Sequence, residues 1–280
     1  MLDPHGAFCG RLPFVDPAGA ATLSIVVEDY HKTYDRTVAV RGISFSVAPG
    51  EILGLVGPNG AGKTSTLRAI AGILRPTGGH ISVAGHDVVS DPVAAKSALA
   101  YVPDDPNLFE SLTVWEHLRF IASAYRVSDW EPKAEHLLDK FELTPKRKAL
   151  ASELSRGMRQ KVAICCGYLH DPKAILLDEP LTGLDPRGIR TMQDSVTERA
   201  ASGAALIVSS HLLSLVEDVC TSVLILHHGK TLVHGTLAEL RRQIDESGRH
   251  ETLEELFFRL TESCETSPAN PVVVPDGSGA

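Results

Sequence analysis

Two hydrophobic periods alternate along this 280-residue chain. Short apolar runs bounded by Gly, Pro, Asp or Ser have the length of buried strands, and predict strands at 23–28, 43–47, 51–56, 80–84, 99–102, 174–178, 204–209, 222–227 and 231–234. Between them, apolar residues recur every three to four positions, which predicts helices over 63–73, 113–126, 131–141, 156–169, 187–202, 212–219, 236–245 and 251–262. Alternation of this kind predicts an α/β fold around a largely parallel sheet, with ligand at the carboxyl ends of the strands. The stretch 105–170 breaks the rhythm with three successive helical segments and no strand, which predicts a helical insert. Within it, Thr113-Val-Trp-Glu116 has the form of a capping box, and Val114, Leu118, Ile121, Ala122 and Tyr125 then fall on one helical face.

One junction between strand and helix carries chemistry. Residues 57–64 read Gly57, Pro58, Asn59, Gly60, Ala61, Gly62, Lys63, Thr64, the pattern G-x-x-x-x-G-K-[ST]. Glycines let the backbone turn tightly and present successive N–H groups to phosphate oxygens. Lys63 brings a flexible cation to the β- and γ-phosphates, and Thr64 a hydroxyl to Mg²⁺. The apolar run Glu51-Ile-Leu-Gly-Leu-Val before the loop and the helical pattern after it place the phosphates at a helix N-terminus.

Further residues extend the picture. Ala174-Ile-Leu-Leu-Asp-Glu-Pro is an apolar strand ending in two carboxylates, so Asp178 is a candidate for the metal shell and Glu179 a candidate base for the attacking water. Ser155 opens an apolar helical run and suits an N-cap; such a helix start could instead offer hydroxyl and N–H groups to an anion. His211 ends the strand Leu206-Ile-Val-Ser-Ser-His, where a lone histidine is ordinarily a surface or packing residue.

Bulk properties narrow the class. Apolar content of 43% is ample for a packed core, and a net charge of −8 argues against a basic nucleic-acid surface. No apolar run reaches the ~18–20 residues of a membrane helix. The five cysteines lack metal-ligand spacing, which favours a reducing cytoplasm, with Cys165 and Cys166 as core thiols. Residues 1–21 are expected to be a disordered leader without the features of a secretory signal, and 266–280 a flexible tail.

Taken in order, the phosphate loop, Leu-Ser-x-Gly, Leu-Leu-Asp-Glu-Pro, Leu-Asp-Pro and Ser-Ser-His resemble the nucleotide-binding subunits of ATP-binding cassette (ABC) transporters over about residues 23–240. The resemblance implies a P-loop NTPase core with a mixed sheet, flanking helices, an N-terminal antiparallel β subdomain and a helical subdomain at about 105–170. The ATP-binding domain would then span 22–245, with a C-terminal helix over 246–265. It implies that Tyr34 stacks on adenine and that Gly57 through Thr64, with Ser65, wrap the phosphates. Ser155 and Gly157 would contact the γ-phosphate of ATP held by a second subunit. Asp178 would assist Mg²⁺, Glu179 would act as base, Asp185 would lie in a loop crossing the subunit interface, and His211 would contact the γ-phosphate.

The resemblance further implies a peripheral protein at the cytoplasmic face of the cell membrane, partnered by an integral-membrane permease in a separate chain and a second ATP-binding subunit. The segment from Asp104 through Ser111, with Leu108 and Phe109, would meet the permease. The 251–262 helix and the Leu-Ser-x-Gly-Met signature favour export.

Two positions depart from the family pattern. The usual Leu-Ser-Gly-Gly-Gln is Leu-Ser-Arg-Gly-Met, with Gln160 two residues on. Asp104, in Tyr101-Val-Pro-Asp, stands where the family has Gln, and its carboxylate is a candidate Mg²⁺ ligand. Two other readings fit the same motifs: a soluble ABC ATPase acting on DNA or ribosomes, and a regulatory binder that closes without turnover. The acidic charge and single cassette count against the first; Asp104 favours the second.

Overall fold

The computed structural model describes residues 24–211, 213–246 and 255. Two sheets organise them. The first is a four-stranded antiparallel sheet of order β2-β1-β4-β5, built from β1 (Ile25–Tyr34), β2 (Thr37–Val47), β4 (Gly78–Val83) and β5 (His86–Asp87). The second has six strands in the order β10-β9-β3-β8-β7-β6. Its members are β3 (Ile52–Val56), β6 (Leu99–Val102), β7 (Ala174–Asp178), β8 (Ala205–Ser210), β9 (Ser222–His227) and β10 (Lys230–Thr236). Pairings among β9, β3, β8, β7 and β6 are parallel, and β10 closes one edge antiparallel to β9. This is the expected α/β architecture, mixed sheet and antiparallel sheet included.

Side chains alternate across the central strands, so each strand feeds two cores. Ile52, Val56, Ile175, Leu177, Leu206 and Val208 pack on one face; Leu53, Leu55, Leu176 and Ile207 pack on the other. Burial on both faces explains why these strands read as continuous apolar runs. The first face is covered by α3 (Val114–Tyr125), α4 (Trp130–Lys140), α5 (Arg156–Tyr168) and α6 (Pro186–Ala201), whose apolar residues join the same core. The second is covered by α1 (Lys63–Ile70) and the antiparallel sheet. α2 (Pro92–Ser97), α7 (Leu213–Val219) and α8 (Leu237–Glu246) are the remaining α-helices among the described residues.

Local chemistry fixes the helix starts. Thr113 and Glu116 form the expected reciprocal capping box before α3, in which Val114, Leu118 and Ala122 are buried while Tyr125 is half exposed. The Ser155 hydroxyl accepts from Met158 N–H at 3.3 Å, and the Asp185 carboxylate accepts from Gly188 N–H at 3.1 Å with Pro186 at the first turn of α6.

The structure departs from the hydrophobic pattern mainly in the antiparallel sheet. β1 continues to Tyr34 and β2 begins at Thr37, because a hairpin satisfies the backbone of residues too polar to register as strands. α2 has Ala95 as its one buried residue, too little to make a periodic signal. The expected leader at 1–21, the helix at 251–262 apart from residue 255, and the tail at 266–280 lie outside the described residues.

Candidate active site

The carboxyl ends of β3, β7 and β8 lie side by side, and the chain leaving each carries one part of the site. After β3 the backbone turns through Gly57–Gly62 into α1. A Cβ on Gly57 would sit 2.3 Å from the Leu226 carbonyl oxygen of β9, so no side chain fits there. Pro58, Asn59 and Gly60 form the exposed crest of the loop, while Ala61 and Gly62 are buried beneath it. No side chain caps the start of α1, in contrast with α3, α5 and α6.

Lys63 opens that helix and is only 7% exposed. Its Nζ donates to the Gly57 carbonyl at 2.6 Å and the Pro58 carbonyl at 3.4 Å, and lies 3.8 Å from Glu179 Oε1. Burial pushes its pKa down, against the opposing pull of Glu179 and Asp178. A desolvated cation bent over a glycine loop gains most from a polyanion arriving in the same place.

Asp178 ends β7 and is buried. Its register partner on β8 is Ser209, whose hydroxyl donates to Asp178 Oδ1 at 2.6 Å. The Thr64 hydroxyl approaches the same oxygen at 3.4 Å, and the Tyr101 hydroxyl approaches Oδ2 at 3.4 Å. Burial raises the pKa of the Tyr101 hydroxyl, opposed by Arg68 of α1. Glu179 follows in the left-handed region, at φ 48°. A non-glycine residue held there stores strain, a common mark of functional positions. Its N–H donates to Ser209 Oγ at 3.0 Å, and its Oε2 lies 2.8 Å from His211 Nδ1. With Nδ1 as the donor, that bond fixes the tautomer of the imidazole.

Lys63, Thr64, Asp178, Glu179 and His211 are thus brought together. Tyr34 stands nearby on β1: its hydroxyl is 3.2 Å from Ser65 Oγ, and Lys32 Nζ lies 4.9 Å from the ring centroid. The Tyr30 hydroxyl donates to the Ser65 carbonyl at 3.1 Å. Ser155 and Gly157 occupy the start of α5, where their neighbours are different. A Cβ on Gly157 would meet the Gly183 carbonyl oxygen at 2.4 Å, so α5 lies directly on the loop before Asp185. Asp104 is held by Arg156, Nη2 to Oδ1 at 3.0 Å.

A hydroxyl and a buried carboxylate at Thr64 and Asp178 are hard oxygen donors, a set that fits Mg²⁺ once phosphate oxygens and waters complete an octahedron. Among the described residues no group of three or more His, Cys, Asp or Glu side chains could hold a metal. Three residues of the site escaped the sequence reading. Ser209 was visible as a polar residue in an apolar strand. Tyr101 gave no signal of its own. Arg156 was visible only as a departure from the family signature.

Comparison with known proteins identifies the family. The ABC transporter family pattern matches residues 40–182. The chain is 37% identical over 237 residues to the ABC-type transporter ATP-binding protein EcsA of Bacillus subtilis, covering 84% of this chain and 95% of that one. It is 34% identical over 213 residues to the lipopolysaccharide export system ATP-binding protein LptB of Acidithiobacillus ferridurans, covering 75% of this chain and 88% of that one. A solved ATP-binding subunit of an ABC transporter superimposes with a TM-score of 0.81 at 37% identity, covering 86% of this chain and all of the other. The chain belongs to the ABC transporter ATP-binding proteins, a family of ATPases whose ATP hydrolysis is coupled to transport.

Proposed function

We propose that this chain is the ATP-hydrolysing subunit of an exporter, docked on a separate permease at the cytoplasmic face of the membrane and working as one of a pair. The observation that carries the chemistry is the convergence of Lys63, Thr64, Asp178, Glu179 and His211 at three neighbouring strand ends. In this proposal Gly57 to Ser65 wrap the triphosphate and Lys63 turns from its loop carbonyls to the β- and γ-phosphates. Thr64 and Asp178 hold Mg²⁺, which when bound neutralises charge building on the phosphate oxygens. Glu179 accepts the proton of the attacking water, and His211 keeps that carboxylate oriented and reaches the γ-phosphate. Tyr34 supplies a face for adenine.

Pairing follows from where Ser155 and Gly157 lie. They sit at the capped start of α5, outside the hydrogen-bonded group around Lys63. A second copy, related by a two-fold, would bring its Ser155 and Gly157 to the triphosphate held here and receive the same in return. Loss of the γ-phosphate removes that shared ligand, so the paired state is favoured before hydrolysis and released after it.

Export is supported by relatives such as the lipopolysaccharide export protein. A separate permease is supported by the absence of any helix long and apolar enough to cross a membrane among the described residues. Docking is supported by two exposed aromatics, Phe109 and Phe120, which meet edge-on at 5.5 Å on the flank formed by α3 and the loop before it. The acidic net charge counts against nucleic acid as the partner.

The test is ATP turnover by the purified chain, followed by affinity capture from solubilised membranes. Phosphate release that disappears in Glu179→Gln, and a polytopic membrane protein captured through a surface that Phe109→Ser weakens, would support the proposal. Turnover unchanged in Glu179→Gln would remove the catalytic assignment, and capture of ribosomes or DNA alone would remove the transport one.

A further inference from the structure

The two departures from the family pattern carry opposite charges, and the fold sets them against each other: Arg156 Nη2 donates to Asp104 Oδ1 at 3.0 Å across 52 positions of sequence. We propose that Asp104 and Arg156 form a positioning pair that fixes the start of α5, and with it Ser155 and Gly157, for contact with the second subunit's nucleotide. The proposal rests on the pairing argued above.

The physical need for the pair lies in the helix. Arg156 is the first residue of α5, where the helix dipole is positive and a cation is unfavourable. The first turn of α5 contains no acidic residue of its own to offset it. Asp104 supplies that charge from outside, and so offsets the guanidinium at the positive end of the helix.

The grip has a second point. Gln160, one turn further along α5, donates through Nε2 to the Pro103 carbonyl at 3.4 Å. Its Oε1 is buried and has no hydrogen-bond partner, so the side chain is held by that one bond. Two side chains four residues apart on one helix face therefore hold consecutive residues of the loop leaving β6.

Arg156 also faces the loop before Asp185. A Cβ at Gly183 would lie 3.5 Å from Arg156 Cδ and 3.6 Å from Cγ, so the Arg156 stem covers Gly183 while its head group holds Asp104. Arg156 thereby sits between two loops. One leaves β6 and the other leaves β7, whose end carries Asp178 and Glu179. The loop at Asp104 is thus tied to the start of α5, beside Ser155, through the Arg156 and Gln160 side chains. Under this assignment the Asp104 carboxylate serves α5 through Arg156, and its part in metal binding is secondary.

The test uses the full chain carrying Glu179→Gln, so that ATP is not consumed, and follows ATP-dependent pairing by sedimentation equilibrium with Mg²⁺. Asp104→Asn and Arg156→Gln are each expected to weaken pairing, in the same direction, by about two- to fivefold, the range of a charge pair exposed to solvent. The exchanged double variant, Asp104→Arg with Arg156→Asp, is expected to recover most of the loss, since it restores the pair and places the acid at the helix start. Hydrogen exchange of the 156–160 amides in the unpaired subunit is expected to rise in both single variants and return in the exchanged one.

Opposite signs for the two single variants would overturn the proposal, because they would mean that Arg156 binds phosphate directly and Asp104 competes for it. Single variants equal to the parent in pairing and exchange would overturn it too, as would an exchanged variant no better than the worse single one. If the parent itself fails to pair while binding ATP, the shared-site reading fails, and the exchange measurement still decides whether Asp104 and Arg156 fix α5.

Discussion

The Ser209 hydroxyl donates to Asp178 Oδ1 at 2.6 Å and accepts from the Glu179 N–H at 3.0 Å. One small side chain thus orients the carboxylate assigned to the metal and the backbone of the carboxylate assigned to the water. It sits on β8 two residues before His211, fully buried, where a hydroxyl is otherwise out of place. Ser209→Ala is expected to lower kcat by about 10- to 100-fold, the usual cost of losing a partner that orients a metal-site ligand. The KM for ATP should change little, because the phosphate loop is untouched. Steady-state phosphate release checks this, and a kcat equal to the parent's would show that Asp178 and Glu179 need no such support.

Lys63→Ala separates binding from folding. Burial holds this ammonium at a cost that Glu179 and Asp178 only partly offset. Its removal should leave thermal stability in the absence of nucleotide unchanged or slightly raised. ATP affinity should fall by about 100-fold or more, as when one partner of a desolvated charge pair is lost. Calorimetry with ATP and a thermal melt without it give both numbers. Affinity retained in the variant would contradict the role given to the phosphate loop.

Gly157→Ala tests the seat of α5. The added methyl would fall 2.4 Å from the Gly183 carbonyl oxygen, closer than side-chain carbons come to backbone. The helix start must lift, at a cost of about 1–3 kcal/mol as for overpacked sites. ATP binding by the single subunit should survive while turnover falls at least tenfold, since the displaced edge is the one offered to the second copy. Denaturant unfolding and turnover measured side by side would show it, and full turnover with normal stability would contradict it.

His170 gives the fold a pH response away from the site. Its Nε2 meets the Leu99 carbonyl at 3.3 Å, its Nδ1 is buried without a hydrogen-bond partner, and its ring stacks on Tyr125 at 3.8 Å. Burial lowers its pKa, opposed by the Leu99 bond and by Asp171. The unfolded chain therefore binds the proton first. Stability is complete above the ordinary imidazole value of about 6.5 and is lost as pH falls from there through the lowered folded value. His170→Phe should flatten that part of the stability curve, read from urea melts between about pH 7 and 5. An unaltered slope would place the titration elsewhere.

Much of this is legible in the amino-acid sequence. The central strands were readable because burial on both faces turns them into unbroken apolar runs, as at Ala174–Asp178. The caps at Thr113 and Ser155 were readable because capping is local chemistry. Gly57–Thr64, Asp178 and Glu179 stood out because each ends or follows a strand, whereas His211 stood out only through the family resemblance. The polar halves of β1 and β2 were not readable, since they are held by a hairpin partner and not by a hydrophobic face. Nor was the Asp104–Arg156 pair, which 52 positions of sequence separate. Each residue was noticeable alone as an odd substitution, and only folding placed them in contact.

The central claim is that a working site takes its phosphate loop and base from one subunit and its Ser155–Gly157 edge from another. Mixing two inactive variants tests it most directly. Ser155→Arg subunits keep Glu179 but lose the edge; Glu179→Gln subunits keep the edge but lose the base. Random pairing of equal amounts makes half the pairs mixed, each with one intact site, so the mixture should recover about a quarter of parental ATPase activity. A mixture as inactive as either variant alone, under conditions where the parent is active, would contradict the shared site.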